Sequence, residues 1–254
     1  MKLQQQHSHE RDSRLVFDEA PHIYYLDGNA VKTSVTTFIH SMFPHFNANK
    51  IAPFTCKKHF NNPESDYYQM NVEQIKEQWE NNRVEAATAG TKMHKSIEMF
   101  YNDEPISDEM RESIEFQYFT NFNNDFQHLK PYRTEWEVFD ENHCLAGSID
   151  MIYQNPDGTL LIYDWKRSKE IKSENKYEKG YAPIDHLHNC NFWHYSLQLN
   201  TYRRILEKNY GKKVVGLYLV VLHPNNMNYI RLEVPDMQDT VEVLFEHRRK
   251  SLQS

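Results

Sequence analysis

Two aspartates and a lysine lie close together near the middle of the chain. Asp150 ends the run Ala146-Gly-Ser-Ile-Asp150, and Asp164 and Lys166 lie in the run Leu161-Ile-Tyr-Asp164-Trp-Lys166. Two neighbouring carboxylates repel each other unless a positive group lies between them. A divalent cation held by them, with a lysine beside it, has the chemistry needed to hydrolyse a phosphodiester bond.

The connector Asn155-Pro-Asp-Gly158 decides how these residues meet. Asparagine followed by proline suits a type I turn, and the glycine then supplies the left-handed residue of a three-residue hairpin loop. Such a loop pairs the asparagine with Thr159, and counting outward puts Asp150 opposite Asp164, with Cβ atoms roughly 4.5–5.5 Å apart. A two-residue loop would instead oppose Asp150 to Tyr163. The turn chemistry therefore predicts that the two carboxylates share one face of a hairpin.

Lys166 joins the aspartates on that face, because strand positions two apart point the same way. Ligation by oxygen alone favours Mg²⁺ or Mn²⁺ over zinc. Lys166 would then orient or help deprotonate the attacking water, or neutralise charge on the phosphate. The alternative is a surface hairpin with an ordinary ion pair, because charged strand residues usually face water.

Length and composition limit the class of protein. A chain of 254 residues, 39% hydrophobic and 13% aromatic, can form one α/β domain or a core domain with a helical elaboration. No apolar run is long enough to span a membrane, and the polar start lacks a signal peptide. We therefore expect a soluble intracellular protein. Three scattered cysteines fit a reducing compartment better than a disulfide framework.

The formal net charge of −7 is unfavourable for a protein that binds nucleic acid. Local clusters matter more than the total, however, and the basic residues do cluster. The runs are Lys166-Arg-Ser-Lys169 with Lys172, Lys176 and Lys179; Arg203-Arg204 with Lys208 and Lys212-Lys213; and His247-Arg-Arg-Lys250. Each run alone is typical of a solvated face, but the first follows directly on the proposed site.

Hydrophobic periodicity divides the chain into three parts. We expect residues 1–14 to be disordered, 15–85 to form an N-terminal hairpin and a helical elaboration, and 86–254 to form a core that is compact with the preceding segment. Strands are expected at 132–139, 144–153, 159–167, 214–222 and 229–234, and helices at 72–82, 86–100, 107–126, 191–209 and 237–251. This order predicts an α/β fold with a central sheet flanked by helices.

Two of these helices carry polar pairs spaced four residues apart, which places each pair on one helix face. The first pair is His94 and Glu98, and the second is Gln198 and Tyr202. Taken alone, His94 would be a capping or partly buried histidine, and the second pair would belong to an ordinary amphipathic helix.

Together these segments resemble the PD-(D/E)XK nuclease superfamily, in particular its RecB-like and lambda-exonuclease-like branch of viral, phage and mitochondrial-maintenance exonucleases. The shared motifs occur in the family's order: Gly90-Thr91-x-x-His94-x-x-x-Glu98, Gly147-x-x-Asp150, Asp164-x-Lys166 and Gln198-x-x-x-Tyr202. The resemblance spans residues 79–222 and implies a restriction-endonuclease-like core with a mixed sheet. One departure is Asp164, which stands where the family's middle acid is often glutamate.

The resemblance also implies roles for individual residues. It assigns metal binding to Asp150, Asp164, the Trp165 carbonyl, His94 and Glu98, with Glu135 as a further candidate; catalysis to Lys166 together with Asp150, Asp164 and His94; and substrate binding to Gln198, Tyr202, Thr91, Arg167 and Lys169. Gln198 and Tyr202 would hold the substrate backbone or brace the lysine.

The function implied is a Mg²⁺- or Mn²⁺-dependent deoxyribonuclease, an exonuclease acting on single-stranded or flap ends. Aromatic segments such as Tyr67-Tyr68 and Asn191-Phe-Trp-His-Tyr195 could stack unpaired bases, or belong to the core. One alternative keeps the fold but cleaves RNA, or cuts DNA as a structure-specific endonuclease. Another is an inactive nucleic-acid-binding protein. The sequence leaves protein partners and the process, repair or recombination among others, open.

Cysteine and histidine spacing bears on other metals. One branch of the superfamily holds an iron-sulfur cluster on four cysteines, which a chain with three scattered cysteines cannot build. The tract His186-x-His188-x-Cys190-x-x-x-His194 is a candidate zinc site, but its spacing fits no common zinc motif. The alternative is a loop that positions the following helix.

Overall fold

The computed structural model describes residues 2–253, and these fall into two compact units. The core unit comprises the chain up to Pro44 and from Met93 onward, and the helical unit comprises His45–Lys92. The prediction of an elaboration over 15–85 that is compact with the core stays a prediction. No helix among the described residues is both long and apolar enough to cross a membrane.

The core unit begins with small elements. These are α1 (Leu3–Gln6), a 3₁₀ turn (Asp12–Arg14), an antiparallel sheet of β1 (Leu15–Asp18), β2 (Ile23–Leu26) and β3 (Asn29–Val31), and α2 (Val35–Ser41). The Ser34 hydroxyl caps α2 by accepting from the Thr37 amide, as expected of serine at an N-cap. In the helical unit lies α3 (Ala48–His59), and α4 (Val72–Tyr101) begins there and continues into the core unit.

The remaining elements build the central sheet and its flanking helices. They are α5 (Asp108–Glu112), α6 (Ile114–Asp125), β4 (Lys130–Asp140), β5 (Leu145–Gln154), β6 (Leu160–Lys166), α7 (Asn191–Asn209), β7 (Val214–Val221), β8 (Ile230–Glu233) and α8 (Gln238–Gln253). The strand order is β4-β5-β6-β7-β8, with β6 and β7 parallel and the other pairs antiparallel. The predicted α/β fold with a mixed sheet flanked by helices is confirmed.

Two apolar clusters cover the two faces of this sheet. The larger one joins α2, α7 and α8 to sheet residues such as Ile149 and Ile162. The smaller one packs Ile97 of α4 and Phe119 of α6 against Trp165 and its neighbours. Because successive strand residues point to opposite faces, the central strands β5, β6 and β7 contribute to both clusters. Burial on both faces fixes which face each side chain of these three strands occupies.

The β5–β6 hairpin has the register that its turn predicted. The Asn155 amide donates to the Thr159 carbonyl over 2.8 Å, and Gly158 has a φ of +84°. Pairing then runs from Gln154 opposite Leu160 to Met151 opposite Tyr163. The predicted register is therefore found as far as Met151 and Tyr163, and one further step along both strands would set position 150 opposite position 164.

Two helix predictions differ from the structure. Helix α4 runs unbroken where two helices were expected, because residues 83–85 include neither proline nor glycine to interrupt it. The single helix expected over 107–126 is divided at Ser113. That serine has an extended ψ of 143°, and its hydroxyl accepts from the Phe116 amide, so it begins α6 as an N-cap.

The N-terminal segment also differs from its expected disorder, apart from Met1, which lies outside the described residues. Leu3 is buried, and the buried Arg133 guanidinium donates to the His7 carbonyl over 2.9 Å and to the Asp12 carboxylate over 2.8 Å. Asp12 also accepts from the Trp136 indole. A buried guanidinium requires partners, and residues 2–14 supply them. Their sequence has no periodic pattern that would have shown this.

Gly147 of β5 offers a test of the packing between sheet and α7. A Cβ atom there would lie 2.6 Å from the Tyr202 hydroxyl and 2.9 Å from its Cε1. We expect Gly147→Ala to lower the free energy of unfolding by about 1–3 kcal/mol, because overpacking forces neighbours to shift. Urea unfolding measures this loss. Gly90→Ala, whose Cβ meets nothing within 4 Å, is the control and should cost no stability. An unchanged urea midpoint in Gly147→Ala would contradict the packing.

Candidate active site

Three neighbouring strands each bring one carboxylate to the same level of the sheet. Trp136 pairs with Ile149 across β4 and β5, which sets Glu135 level with Asp150. The hairpin register then sets Asp150 level with Asp164 on β6. The sheet therefore holds a row of three acids, which we call the carboxylate row: Glu135, Asp150 and Asp164.

Glu135 has an unusual backbone for a strand residue. Its φ is +43°, in the left-handed region that side chains other than glycine rarely adopt. Backbone strain of this kind costs on the order of 1–3 kcal/mol and clusters at functional sites. The Ser148 hydroxyl donates to Glu135 Oε2 over 2.9 Å. The strained backbone and this hydrogen bond together fix the position of the third carboxylate.

His94 projects from α4 to the carboxylate row. Its Nδ1 lies 3.6 Å from Asp150 Oδ2 and 3.8 Å from Glu135 Oε1. Candidate ligand atoms of these three residues all lie within 4.8 Å of one another, the one such cluster of three or more found among residues 2–253. Burial lowers the pKa of His94, but the carboxylates of Asp150 and Glu135 outweigh it and raise that pKa to about 9.

Asp164 and Lys166 form an ion pair at the other end of the row. Lys166 Nζ lies 2.7 Å from Asp164 Oδ2 and 4.5 Å from the centre of the Tyr195 ring. Burial raises the pKa of Asp164 to about 6, even though Lys166 opposes that shift. Burial alone would lower the pKa of Lys166, but the carboxylates of Asp164 and Asp150 raise it above its usual value. The lysine therefore keeps its charge.

Asp150 occupies the centre of the site. Its Oδ2 accepts the Trp165 amide over 2.9 Å, so the strand adjacent to it also fixes its rotamer. Burial raises the pKa of Asp150, and the nearby Glu135 carboxylate adds to that rise, whereas His94 and Lys166 oppose it. Ionising all the acids of the row is therefore unfavourable without a further cation.

The donor set fits a divalent cation. Asp164 Oδ2 is buried and, within the described part of the chain, accepts no well-aligned hydrogen bond despite its contact with Lys166. Carboxylate oxygens from three strands, with one imidazole, match the oxygen-rich ligation of Mg²⁺ and Mn²⁺. Asp150, Glu135 and His94 would hold such an ion, and ligation by Asp164, which lies outside this group and pairs with Lys166, stays a prediction. When bound, it would supply Lewis-acid activation of water and of phosphate oxygens.

Two predicted metal ligands, Glu98 and the Trp165 carbonyl, are not part of the clustered group. Glu98 lies one helical turn beyond His94, accepts a hydrogen bond from Lys95 over 2.9 Å, and is outside the clustered group. The amide of Trp165 binds Asp150, and its indole is buried against Phe119. Metal ligation by the Trp165 carbonyl and by Glu98 stays a prediction.

The predicted substrate-binding residues are dispersed. Tyr202 is buried, its hydroxyl is hydrogen-bonded by Gln198, and its ring covers Gly147. Gln198 and Tyr202 therefore pack α7 against β5 at Gly147, three residues before Asp150. Arg167 donates to Glu115 over 2.7 Å, and both side chains are largely buried. Thr91, in the helical unit, donates to the Ala87 carbonyl within its own helix.

Lys169 borders a cavity of about 650 Å³ that begins just after β6. Its lining includes Lys169, Lys172 and Lys176 together with Glu170 and Glu174. Three lysines of the first basic run therefore line this cavity.

The other two basic runs are largely neutralised by acids. Arg203 pairs with Asp236 over 2.9 Å, Arg204 with Glu242 over 3.0 Å, and Arg249 with Glu246 over 2.8 Å. The first run also pairs with acids, since Arg167 pairs with Glu115 and Lys172 with Glu170.

Histidines of the His186 to His194 tract form hydrogen bonds with residues of the loop before α7. The Asn175 amide donates to His188 Nδ1 over 2.9 Å, and His194 hydrogen-bonds Asn189. Burial, with a smaller contribution from His40, lowers the pKa of His194 to about 4. The described residues gather no three ligands of this tract into a metal-sized group.

Two residues of the site were weakly predicted or missed. Glu135 was only a secondary candidate, because a left-handed backbone inside a strand cannot be read from residue types. Tyr195 was considered for base stacking or the core, not for contact with Lys166. Its position three residues before Gln198 puts both on one face of α7, which is the signal that could have identified it.

Comparison with known proteins agrees with this geometry. A family model of the PD-(D/E)XK nuclease superfamily matches residues 109–253, more than half of the chain. The chain therefore belongs to the PD-(D/E)XK nuclease superfamily. No match was found among curated proteins. Among solved structures, it resembles one described as the crystal structure of SSO0001, with 15% identity over 68% of this chain and 71% of that chain. The TM-score of 0.28 is too low to indicate a shared overall fold.

Membership implies a nuclease, a nucleic-acid substrate and the divalent-metal use general in the superfamily. It specifies neither which ion binds nor how the substrate is cut. The candidate His94, Glu135 and Asp150 cluster is where a metal would be sought in this chain.

Metal binding to the carboxylate row predicts a pH-dependent thermal shift. The pKa of Asp164 is raised to about 6. Metal-free protein therefore loses this group's contribution to stability as pH rises from about 4 to about 6. Mn²⁺ binds the ionised form, so the rise in Tm that it produces over EDTA should grow between pH 5 and pH 7. Differential scanning fluorimetry measures both curves.

Glu135→Gln should reduce this Mn²⁺-dependent rise, because it removes one charged ligand. Asp239→Asn, which changes an exposed carboxylate on α8, should retain the full rise. A rise that is independent of pH, or equal in Glu135→Gln and wild type, would contradict binding at the row.

Proposed function

We propose that the protein is a Mg²⁺- or Mn²⁺-dependent deoxyribonuclease that acts from single-stranded or flap ends. One observation carries the nuclease chemistry: three adjacent strands align Glu135, Asp150 and Asp164, with His94 above the row and Lys166 beside it. The metal would activate the attacking water and neutralise the phosphate.

The protein's own groups divide the remaining work. Lys166 stays protonated between Asp164 and the Tyr195 ring, so it can orient water or stabilise the negative charge that develops at phosphorus. The Trp165 amide and the Ser148 hydroxyl hold Asp150 and Glu135 in fixed orientations. Such preorganisation avoids rearrangement during the reaction.

The choice of DNA ends as substrate rests on two observations. The chain's motifs resemble the exonuclease branch of the superfamily, and a cavity whose lining includes Lys169, Lys172 and Lys176, with two glutamates, begins directly after β6. RNA cleavage by the same site is the competing activity, because a metal held at the row would act on phosphate oxygens that both polymers share. An inactive binding protein is disfavoured because both acids and the lysine are present.

Cleavage assays separate these functions. Labelled single-stranded DNA, duplex DNA, flap DNA and RNA would each be incubated with Mn²⁺, Mg²⁺ or EDTA. The proposal expects metal-dependent loss of the single-stranded and flap DNA, and no cleavage in EDTA. Preferential loss of RNA would identify a ribonuclease, and no cleavage of any substrate with metal would refute the nuclease.

The requirement for ends needs its own substrate pair. Linear and circular single-stranded DNA of the same sequence present identical phosphodiester bonds, but the circle has no end. We expect the linear form to be degraded and the circle to survive. Equal loss of both would show an endonuclease, which refutes end dependence while keeping the metal site.

Substitution of the lysine tests the assigned chemistry. We expect Lys166→Ala to lower kcat by about 10²–10³-fold, the range for removing a group that transfers a proton or stabilises transition-state charge. Asp164→Ala should be at least as impaired. The control Asp239→Asn alters a carboxylate outside the site and should cleave like wild type. Wild-type cleavage by Asp164→Ala would contradict the assigned site.

Tyr195 provides a finer test of how Lys166 is held. Removing the ring in Tyr195→Leu should lower kcat about 5- to 30-fold, which corresponds to a cation–π contribution of about 1–2 kcal/mol. Tyr195→Phe keeps the ring and should retain most activity. KM should change little in either variant, because the ring contacts the lysine. Equal activity of the leucine and phenylalanine variants would show that the ring does not act on Lys166.

A further inference from the structure

Helix α3 of the helical unit presents an apolar side chain to solvent among lysines. Phe54 is 75% exposed, more than any other phenylalanine among residues 2–253. Lys50, Lys57 and Lys58 lie four residues before it and three and four residues after it. At 3.6 residues per turn these positions fall on one helix face. We call this face the α3 surface: Lys50, Phe54, Lys57 and Lys58.

The opposite face of α3 is the one that the helical unit buries. Ala52 is fully buried, and the Cys56 thiol donates to the Met70 carbonyl. Phe54 is therefore not a core residue that is incompletely buried. It lies on the outward side of a helix whose inward side is already packed.

Charge distinguishes this face from the rest of the chain. Helix α3 contains three lysines and no acidic residue, and its last turn carries Lys57, Lys58 and His59. The whole chain has a net charge of −7. None of the three lysines is neutralised by a residue of its own helix. A concentrated positive field is thus preserved on a protein that is otherwise acidic.

Nearby aromatic residues contrast with Phe54. The Trp79 indole donates to the Tyr67 hydroxyl over 3.1 Å, and Phe46 packs edge-on against Trp79. These rings stabilise the helical unit itself. Phe54 takes part in no such ring contact among the described residues, so its exposed ring face is free to stack.

We infer that the α3 surface binds single-stranded nucleic acid, with a base stacked on Phe54 and backbone phosphates paired with Lys50, Lys57 and Lys58. An aromatic platform flanked by cations is the combination that holds unpaired strands without sequence preference. A duplex offers no free base face that could stack on Phe54. An acidic protein partner would pair with the lysines but would not need the exposed ring. The inference rests on the proposed function, because it deepens how that enzyme holds its substrate.

Binding is measured without cleavage by fluorescence anisotropy of a labelled 20-nucleotide oligothymidylate in EDTA. Phe54→Ala should weaken binding at least about fivefold, the loss of one stacked base. Phe54→Trp should bind as tightly as wild type or more tightly. Reversing the charges in Lys50→Glu/Lys57→Glu/Lys58→Glu should lower the slope of log Kd against log salt by about 2, since each single-strand phosphate contact contributes about 0.7.

Matched controls lie on α8, outside both sites. Val243→Ala removes an exposed apolar group, and Lys250→Glu reverses an exposed lysine. Both should bind the oligonucleotide like wild type. If Phe54→Ala and the triple variant also bind like wild type, or if Lys250→Glu weakens binding as much per charge, the α3 surface is not the binding site.

A small substrate keeps this inference separate from the proposed function. The p-nitrophenyl ester of thymidine 5′-phosphate offers a diester bond but no strand to hold. The α3 variants should hydrolyse it like wild type and show a raised KM for the oligonucleotide alone. If wild type cleaves neither substrate, the proposed function fails while the binding data still judge the surface. If Phe54→Ala instead loses binding to phosphatidylserine vesicles and keeps oligonucleotide binding, the occupant is a lipid surface and the inference is overturned.

Discussion

The register of the β5–β6 hairpin is the constraint on which the site depends. Side chains alternate between the faces of a strand, so a slip of one residue would turn Asp164 and Lys166 to the opposite face. The loop Asn155-Pro-Asp-Gly158 prevents this, because its glycine takes the positive φ that the three-residue turn requires. Burial of both sheet faces reinforces the choice. An inverted strand would force charged side chains into the apolar cluster around Trp165.

The same register concentrates negative charge where the protein cannot neutralise it fully. Burial raises the pKa values of Asp150 and Asp164, so the metal-free row resists full ionisation. His94 and Lys166 offset part of this repulsion, since each lies near an acid of the row. A cation would offset the rest. The left-handed backbone of Glu135 adds a further cost. The same buried carboxylates thus destabilise the metal-free protein and give the site its capacity to bind metal.

Local rules explain why part of this arrangement was predictable. A turn of defined chemistry fixed the alignment of Asp150 with Asp164, and helical periodicity with a terminal Tyr210-Gly211 correctly bounded α7 at Asn191–Asn209. The mixed sheet followed from the resemblance. The features that escaped prediction depend on tertiary contacts: the hydrogen bonds of His7 and Asp12 with Arg133, and the approach of Tyr195 to Lys166. Glu135 required a backbone conformation that no propensity scale assigns to glutamate.

Helix continuity shows the limit of local rules more sharply. Both α4 and the 107–126 region have helical periodicity, yet only the second is divided, because Ser113 adopts an extended ψ and caps helix α6. A serine within a helical pattern is compatible with either outcome. The continuity of α4 places His94 within one long helix instead of in a shorter second one.

The central claim is that the carboxylate row binds a divalent cation, and anomalous diffraction from crystals grown with Mn²⁺ tests it most directly. An anomalous difference peak recorded at the manganese edge locates the ion without reference to activity. The account predicts a peak in contact with Asp150 and a second carboxylate of the row, Glu135 or Asp164. A peak at the His186 to His194 tract instead, or no peak within reach of Asp150 at saturating Mn²⁺, would contradict it.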